Sequence, residues 1–388
     1  MKNTGKRDYL WIVLFLIVFI NGFEAGGYQA SLWTIGKDFD LSMTSMGLYA
    51  AMELFATMLA PILLGRWADS APKVRSIGLM LGIQIAAAGI ALFTVSNRVF
   101  LIGVFFLGLT TSALQFISIA ALADAYPVSG GKKVAYITTM YALGALLSPL
   151  VVDFYLRKGL GWRTLFGLLA AGSILTLSGI LLSGSEQREV KTDQASEQSE
   201  SRRFVLSAIL LLGVIMCIYV GFENGFTFFV DTLFTDVLHS SRGKMALSLF
   251  WAVMIPSRFL VGRFAGHAKK ILIASIVAIP CTMLLLAGSS SPAAVMLLCV
   301  PLGFASGAIY PSVLTMMLPF AGKKTATATG IITAATGIGG VVFTAMTGFL
   351  ADAFGMRTAM LILVSFFGLS LLSALIVIRK SRQEQPNG

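Results

Sequence analysis

The chain has 388 residues, of which 56% are hydrophobic and 12% are charged, and its formal net charge at pH 7 is +11. Typical soluble domains have about 25% charged residues, so this composition excludes an ordinary soluble protein and indicates that lipid surrounds most of the surface. The three cysteines, an odd number, all lie in apolar segments, which argues against a disulfide framework.

Twelve apolar segments are long enough to cross a bilayer, since a membrane helix needs roughly 20 mostly apolar residues. The first begins after a basic stretch, as a secretory signal does. It runs on to about Ile35 without a small-residue cleavage site, and is therefore interpreted as a retained span. The predicted spans are 9–35, 45–68, 75–96, 98–123, 134–157, 162–183, 204–237, 243–264, 270–288, 292–317, 325–352 and 357–378.

Lysine and arginine are unevenly distributed between the two ends of these spans. With the N-terminus inside, the inside ends and loops contain 20 of the 29 basic residues, the outside ends contain 8, and Arg258 lies within a span. Because basic residues favour the cytoplasmic side, the pattern predicts a multi-pass protein of the cell membrane with both termini in the cytoplasm. Contact with anionic lipid then explains the net charge, so no nucleic acid partner is expected.

The longest polar stretch, residues 183–203, has mixed charges and few apolar residues, which is typical of a solvated linker. It separates six predicted spans from six others. The predicted domains are an N-terminal six-helix bundle at 1–183, a cytoplasmic linker at 184–203 and a C-terminal six-helix bundle at 204–388. The predicted fold class is an all-α integral membrane protein with twelve transmembrane helices in two pseudo-symmetric six-helix bundles, and a monomer is expected.

The two predicted bundles contain matching short motifs in the same order. The separation between matching motifs stays between 191 and 199 residues, which indicates duplication of a six-span unit. Because six is an even number, both copies cross the membrane in the same direction, as parallel repeats do. The matches pair GFEAG (22–26) with GFENG (221–225), GRWADSAPKVR (65–75) with GRFAGHAKK (262–270), GLTTSALQF (108–116) with GFASGAIYP (303–311), GKKVA (131–135) with GKKTA (322–326) and GWRT (161–164) with GMRT (355–358).

This duplicated twelve-span pattern resembles the major facilitator superfamily over essentially the whole chain. The loop after the second span matches that superfamily's signature of a glycine, an acid four residues later and then basic residues, here Gly65, Asp69, Lys73 and Arg75. The resemblance implies a transporter that alternates between outward-open and inward-open states, with these four residues as a latch of the cytoplasmic face. A simple positively charged turn is the alternative interpretation of this loop.

Two positions depart from the drug–proton antiporters of that superfamily. The fourth span of those antiporters has an arginine four residues before a glycine, where this chain has Val104 before Gly108. Their fifth span ends in G-P-x-x-G-G, whereas this chain has Ser148 before Pro149 and no glycine pair. Both departures weaken the case for drug export without excluding it.

Three glutamates lie within predicted spans, where a charge costs at least ~2.5–3.5 kcal/mol even on lenient insertion scales. Glu24 and Glu223 occupy matching places in spans 1 and 7, which the resemblance places beside a central cavity, and Glu53 lies near the middle of span 2. All three are predicted to couple protons or to bind solute. For Glu24, the alternatives to proton coupling are a structural acid bonded to a neighbouring helix and a solute ligand with no proton role. Arg258 is predicted to extend to the cytoplasmic interface, because long basic side chains near a span end do so.

Other polar and aromatic side chains in the spans are candidates for lining the solute cavity, although each aromatic residue alone is interpreted first as a packing residue. The amides are expected to orient a polar solute, and the aromatic rings are expected to stack on a sugar ring or an apolar solute. These candidates are Asn21, Tyr28, Gln29, Tyr49, Gln84, Gln115, Asn224, Phe226, Trp251 and Tyr310.

The predicted function is secondary active transport of a small polar or cationic organic solute, coupled to protons, since three buried acids against one cation disfavour anions. The alternative within this class is an efflux antiporter for drugs or metabolites. The sequence contains no G-x-x-x-x-G-K-[ST] phosphate-binding loop, so ATP is not expected to drive transport. A receptor without flux would need a sizeable extramembrane domain, and the repeat argues against a channel. No nucleophile–base or metal set for an intramembrane enzyme is found, so no catalytic residue, metal or cofactor is predicted.

Overall fold

The computed structural model describes residues 9–125, 130–182, 204–321 and 325–383, and these ranges form helices without a strand. Apolar segments adopt helices in a membrane because a helix satisfies its own backbone hydrogen bonds where no water is present. The helices are α1 (Leu10–Asp38), α2 (Met43–Ser70), α3 (Lys73–Phe93), α4 (Asn97–Ala125), α5 (Gly130–Arg157), α6 (Thr164–Leu182), α7 (Leu206–Thr232), α8 (Gly243–Arg263), α9 (Ala268–Gly288), α10 (Pro292–Ala321), α11 (Thr325–Phe354), α12 (Met356–Ser365) and α13 (Phe367–Gln383).

Twelve stretches of the described residues are long and apolar enough to cross a membrane, from Leu10–Asp38 to Met356–Ser381. The predicted number of spans and the all-α fold class are therefore confirmed. Two details differ from the prediction. The last span comprises two helices, α12 and α13, that meet at Phe366, and a π-helical turn at Leu233–Val237 extends α7.

The first of two compact units contains the described residues of 1–28 and 56–194. Its core consists of buried aliphatic side chains from several helices, among them Leu14 on α1 and Ile117 on α4. Helices α1 and α5 approach each other at backbone distance, because a Cβ added to Gly22 would lie 2.0 Å from the carbonyl oxygen of Tyr141. A residue without a side chain is what permits so close a contact between two helices.

The second unit contains the described residues of 29–55 and 195–388. Helices α7 and α11 meet in the same way as α1 and α5, because a Cβ added to Gly339 would lie 2.0 Å from the carbonyl oxygen of Cys217. The end of α1 and the beginning of α2 thus pack with helices from the second half of the chain. The predicted domain limits at 183 and 204 stay a prediction, since the linker between them lies outside the described residues.

Candidate functional site

The glycines and the glutamate of the repeated five-residue motif lie on opposite sides of their helix. Gly22 and Gly26 are about one turn apart, and a Cβ added to either would meet the backbone of α5. Glu24 lies two residues from each, about 200° around the helix, so its side chain points away from α5. In the second copy, the added Cβ atoms would meet side chains instead, Phe343 on α11 for Gly221 and Thr347 on α11 for Gly225.

Glu24 lies at the middle of α1 and is 1% exposed. Its carboxylate accepts a hydrogen bond from the hydroxyl of Thr111 on α4 at 3.3 Å. The same hydroxyl accepts a hydrogen bond from the amide of Gln84 on α3 at 3.3 Å, and the amide oxygen of Gln84 accepts one from Ser173 on α6 at 3.0 Å. Asn21 donates to the backbone carbonyl of Thr111 at 3.0 Å and accepts from Gln84 at 3.4 Å.

These five side chains, called the Glu24 network below, are all between 0% and 5% exposed. The partners of the carboxylate and of the amides are neutral, and within the described residues no lysine or arginine pairs with Glu24. Buried polar groups are stable only when they are hydrogen-bonded. The network therefore fixes one carboxylate inside the membrane without neutralising its charge.

Glu223 on α7 has a different environment, although it occupies the place in the repeat that matches Glu24. Its carboxylate is buried and interacts electrostatically with the guanidinium of Arg258 on α8 and with Tyr219, one turn earlier on α7. Tyr310 on α10 faces Arg258 as well. Three helices thus place one acid, one base and two phenols within electrostatic range.

The predicted extension of Arg258 to the cytoplasmic interface stays a prediction. Arg258 lies about one and a half turns before the end of α8, its side chain is exposed, and its charge interacts electrostatically with Glu223 on α7. The sequence prediction considered only the distance along α8 and had no information about the neighbouring helix.

Two of the predicted cavity residues, Gln29 and Trp251, contact each other within the second unit. The indole N–H of Trp251 on α8 donates to the amide oxygen of Gln29 on α1 at 3.3 Å. One turn later on α1, the indole N–H of Trp33 donates to the carboxylate of Asp236 in the π-helical turn at 2.9 Å. An amide and an aromatic ring are therefore adjacent, as a site for a polar ring compound requires.

The beginning of α2 is capped by a residue of α11. The carboxylate of Asp352 accepts hydrogen bonds from the backbone N–H groups of Met43 and Thr44 at 3.0 and 2.7 Å. The first N–H groups of a helix have no partner within the helix, so a carboxylate there stabilises them. Gly47 and Gly348 continue this contact, since a Cβ added to Gly47 would lie 3.1 Å from the Cα of Gly348.

Phe226 and Asn224 make local contacts. The ring of Phe226 packs between those of Phe222 and Phe250, with centroids 6.1 and 5.2 Å away. Asn224 donates to the carbonyl oxygen of Val220 on its own helix at 2.9 Å. Phe226 is therefore part of an aromatic core, and the side chain of Asn224 is hydrogen-bonded to its own helix.

The burial of the other predicted residues is as follows. Tyr28, Tyr49 and Glu53 are buried, and Gln115 is half-buried. Their roles in solute binding or proton coupling stay predictions.

The four predicted latch residues lie around the turn between α2 and α3. Gly65 and Asp69 are on α2, and Lys73 and Arg75 are in the first turn of α3. The side chain of Asp69 lies outside the described part of the structure, so the latch stays a prediction.

Sequence reasoning missed the residues that complete these sites. Thr111, Ser173 and Tyr219 were not identified as candidates, because a hydroxyl within a span is common and its partner depends on the packing of helices. Position 111 does lie in a repeated motif, which is the one signal that could have indicated it. Among the described residues, no group of three or more His, Cys, Asp or Glu side chains could hold a metal ion.

Comparison with known proteins identifies the family of the chain. The family model described as Major Facilitator Superfamily matches residues 14–344 and 268–388. The chain is 22% identical to the glucose transporter GlcP of Staphylococcus epidermidis over 406 residues. This alignment covers 92% of this chain and 90% of that protein. It is 23% identical to the MFS-type transporter YfkL of Bacillus subtilis over 278 residues, and this alignment covers 68% of this chain and 68% of that protein.

Solved structures share the fold. A bacterial homologue of the human lysosomal transporter Spinster, in an inward-facing and unoccupied conformation, superposes with a TM-score of 0.80 at 15% identity and covers 99% of both chains. At this level of identity, the similarity demonstrates the fold alone.

Proposed function

This chain belongs to the major facilitator superfamily, and on that premise we propose that it carries a small polar organic solute together with a proton bound at Glu24. Its relatives are secondary transporters, which expose one binding site alternately to the two sides of the membrane. The observation that supports proton coupling most directly is the Glu24 network.

The reasoning rests on the balance of charge at Glu24. An ionised carboxylate at membrane depth costs at least ~2.5–3.5 kcal/mol, and a hydrogen bond to a charged group returns about 1.5–3 kcal/mol at best. Thr111 supplies one such bond, and no basic residue pairs with the carboxylate within the described residues. Uptake of one proton removes the charge. Alternating access then lets that proton bind from one side of the membrane and leave to the other side.

The relatives support a sugar-like solute. GlcP is a glucose transporter, so a hexose is the first compound to test. The adjacent amide of Gln29 and ring of Trp251 fit this class, because an amide bonds hydroxyl groups and an indole packs on the apolar face of a pyranose ring. Drug efflux has no specific contact in its favour.

Purified protein in liposomes that contain a pH-sensitive dye tests the proposal. Addition of glucose, galactose, xylose or a nucleoside should change the internal pH for wild type, and Glu24→Gln should abolish that change. Labelled solute flux in wild type without any pH change would overturn proton coupling.

A matched pair of threonine variants separates the network from general damage to α4. Thr111→Val removes the hydroxyl that contacts Glu24, and we expect the coupled rate to fall about tenfold, because each 1.4 kcal/mol corresponds to a factor of ten. The neighbouring Thr110 donates only to carbonyl oxygens of its own helix, at 2.8 and 3.0 Å. Thr110→Val should therefore stay within about twofold of wild type, and equal losses in the two variants would count against the network.

A further inference from the structure

We propose that Ser173 on α6 is a positioning residue for the coupling proton. Acting through Gln84 and Thr111, it fixes the hydrogen bond that Glu24 accepts, and it thereby allows the carboxyl group to release its proton. This inference rests on the proposed function and adds to it the residues that make proton release favourable.

The Glu24 network contains a chain of hydrogen bonds that runs from α6 to α1. Ser173 donates to the amide oxygen of Gln84 on α3 at 3.0 Å, and the amide nitrogen of Gln84 donates to the hydroxyl of Thr111 on α4 at 3.3 Å. That hydroxyl donates in turn to the carboxylate of Glu24 at 3.3 Å. Each bond joins two different helices, so the chain connects the carboxylate to three helices other than its own.

The backbone carbonyl of Thr111 determines the direction of this chain. A carbonyl oxygen only accepts hydrogen bonds, so Asn21 must present its NH2 group to it, at 3.0 Å. The amide oxygen of Asn21 then faces Gln84, which must present its own NH2 group, at 3.4 Å. The amide oxygen of Gln84 is thereby left for Ser173, whose hydroxyl has to donate.

The same direction reaches the hydroxyl of Thr111, which has one hydrogen and can also accept. Because the NH2 group of Gln84 donates to this oxygen, the hydrogen is available to Glu24. A second acceptor competes for it, since a threonine within a helix can bond the carbonyl oxygen one turn earlier. The neighbouring Thr110 does so, with bonds to two carbonyl oxygens of its own helix at 2.8 and 3.0 Å. The orientation of Gln84 therefore favours Glu24 over the helix as the acceptor.

Ser173 lies where α6 approaches α1. A Cβ added to the preceding residue, Gly172, would lie 3.0 Å from the side chain of Ile20, which is about one turn before Glu24. Ser173 and Gln84 are both fully buried, and a buried polar group that loses its partner is strongly destabilised. Without the hydroxyl of Ser173, the amide of Gln84 can turn to find another donor, and its NH2 group then no longer orients the hydroxyl that faces Glu24.

Transport with a proton requires both forms of Glu24. The protonated form is neutral and suits a buried site, whereas the ionised form depends on hydrogen-bond donors. Thr111 is the donor that the described structure provides, and the groups behind it, Gln84 and Ser173, are uncharged. A misdirected hydroxyl therefore disfavours the ionised form. Without Ser173, Glu24 takes up a proton as before, but transfer of that proton to water on the exit side becomes less favourable.

Two transport measurements with glucose, on the full chain in liposomes, separate proton release from general function. Net flux with its pH change requires Glu24 to release a proton in every cycle. Exchange of labelled for unlabelled glucose does not, since the carrier can return with both solute and proton bound. Ser173→Ala should lower net flux about two- to tenfold, the factor that corresponds to one hydrogen bond, and should leave exchange within about twofold of wild type.

Two further variants make this pattern specific. Thr176→Val is the matched control, because it removes a buried hydroxyl on the next turn of α6 that donates to two carbonyl oxygens of its own helix, both at 3.0 Å. It should behave as wild type in both measurements. In a Thr111→Val background, Ser173→Ala should have no further effect, because a residue that acts through the hydroxyl of Thr111 loses its influence when that hydroxyl is absent.

The infrared band of the Glu24 carboxyl group tests the same contact without transport. Difference spectra between two pH values, compared between wild type and Glu24→Gln, identify this band, whose frequency depends on the hydrogen bonds of the group. The band should move in Ser173→Ala and stay in place in Thr176→Val.

The outcomes separate this inference from the proposed function. An unmoved infrared band in Ser173→Ala overturns the inference. Equal losses of net flux and exchange in that variant, or a further loss when it is combined with Thr111→Val, also overturn it, since a merely structural role of Ser173 gives both. Solute flux without a pH change in wild type overturns the proposed function, and the infrared band then still decides whether Ser173 positions the hydrogen bond to Glu24.

Discussion

Replacement of Gly339 by alanine tests a close backbone contact between two helices of the second unit. The added Cβ would lie 2.0 Å from the carbonyl oxygen of Cys217, whereas ordinary contact begins at 3.4 Å. Helices α7 and α11 must therefore separate locally by about 1.4 Å, the difference between these two distances. The contact is with backbone atoms, so no side-chain rotation relieves it. Overpacking of this kind costs about 1–3 kcal/mol.

Gly330→Ala on the same helix is the matched control, because no atom lies within 4 Å of an added Cβ there. Replacement of glycine by alanine favours the helix by roughly 1 kcal/mol at both positions, so the difference in stability between the two variants reports the contact alone. Thermal unfolding of the purified variants, followed by tryptophan fluorescence, should give a lower midpoint for Gly339→Ala. Equal midpoints would refute the close approach of α7 and α11.

Two further contacts give predictions of stability. Lys244 and Asp231 form a buried ion pair at 2.6 Å, so Lys244→Met should lower the free energy of unfolding by about 3–5 kcal/mol. Arg157→Gln, which breaks an exposed ion pair, should change it by less than about 1 kcal/mol, and denaturation of both variants measures the contrast. Asp352→Ala removes the cap of α2 and should cost about 0.5–2 kcal/mol. Hydrogen exchange at the amide of Thr44 should then become faster, and unchanged exchange contradicts the cap.

The two copies of the motif show how duplication can lead to different chemistry. Glu24 and Glu223 occupy matching places, and both sit between glycines that pack on a neighbouring helix. Their charged neighbours differ, because Arg258 on α8 has no basic counterpart in the first copy. The separation between the two copies of the span-2 loop motif places Pro61 on α2 at the position that matches Arg258. The first copy therefore contains an acid with neutral partners, and the second contains an acid with a base. We expect separate roles for the two acids.

Much of the architecture was predictable because it depends on local composition. Runs of about 20 apolar residues predict spans wherever they occur, and the structure confirms twelve. Glu24 could be identified as unusual for the same reason, since a carboxylate in such a run is costly in any arrangement. The break at Phe366 could not be predicted, because the residues on both sides are apolar and suit one continuous helix as well as two.

The partners of the site residues were not predictable, since each contact joins helices that are distant in sequence. Thr111 and Glu24 are 87 positions apart, and Asp352 reaches Thr44 across 308 positions. Arg258 is the clearest case. Its distance from the end of α8 predicts that it extends to the interface, and only the tertiary structure brings Glu223 into its electrostatic range.

The sequence by itself determined that this protein has twelve membrane helices, and it predicted a duplicated six-span unit with acids at matching places, because span length, charge cost and repetition are properties of the chain alone. The tertiary structure decided which acid has neutral partners and which faces a base. That decision depends on close packing at glycines such as Gly22 and Gly339, which sets the helix spacing and therefore the neighbours of each carboxylate.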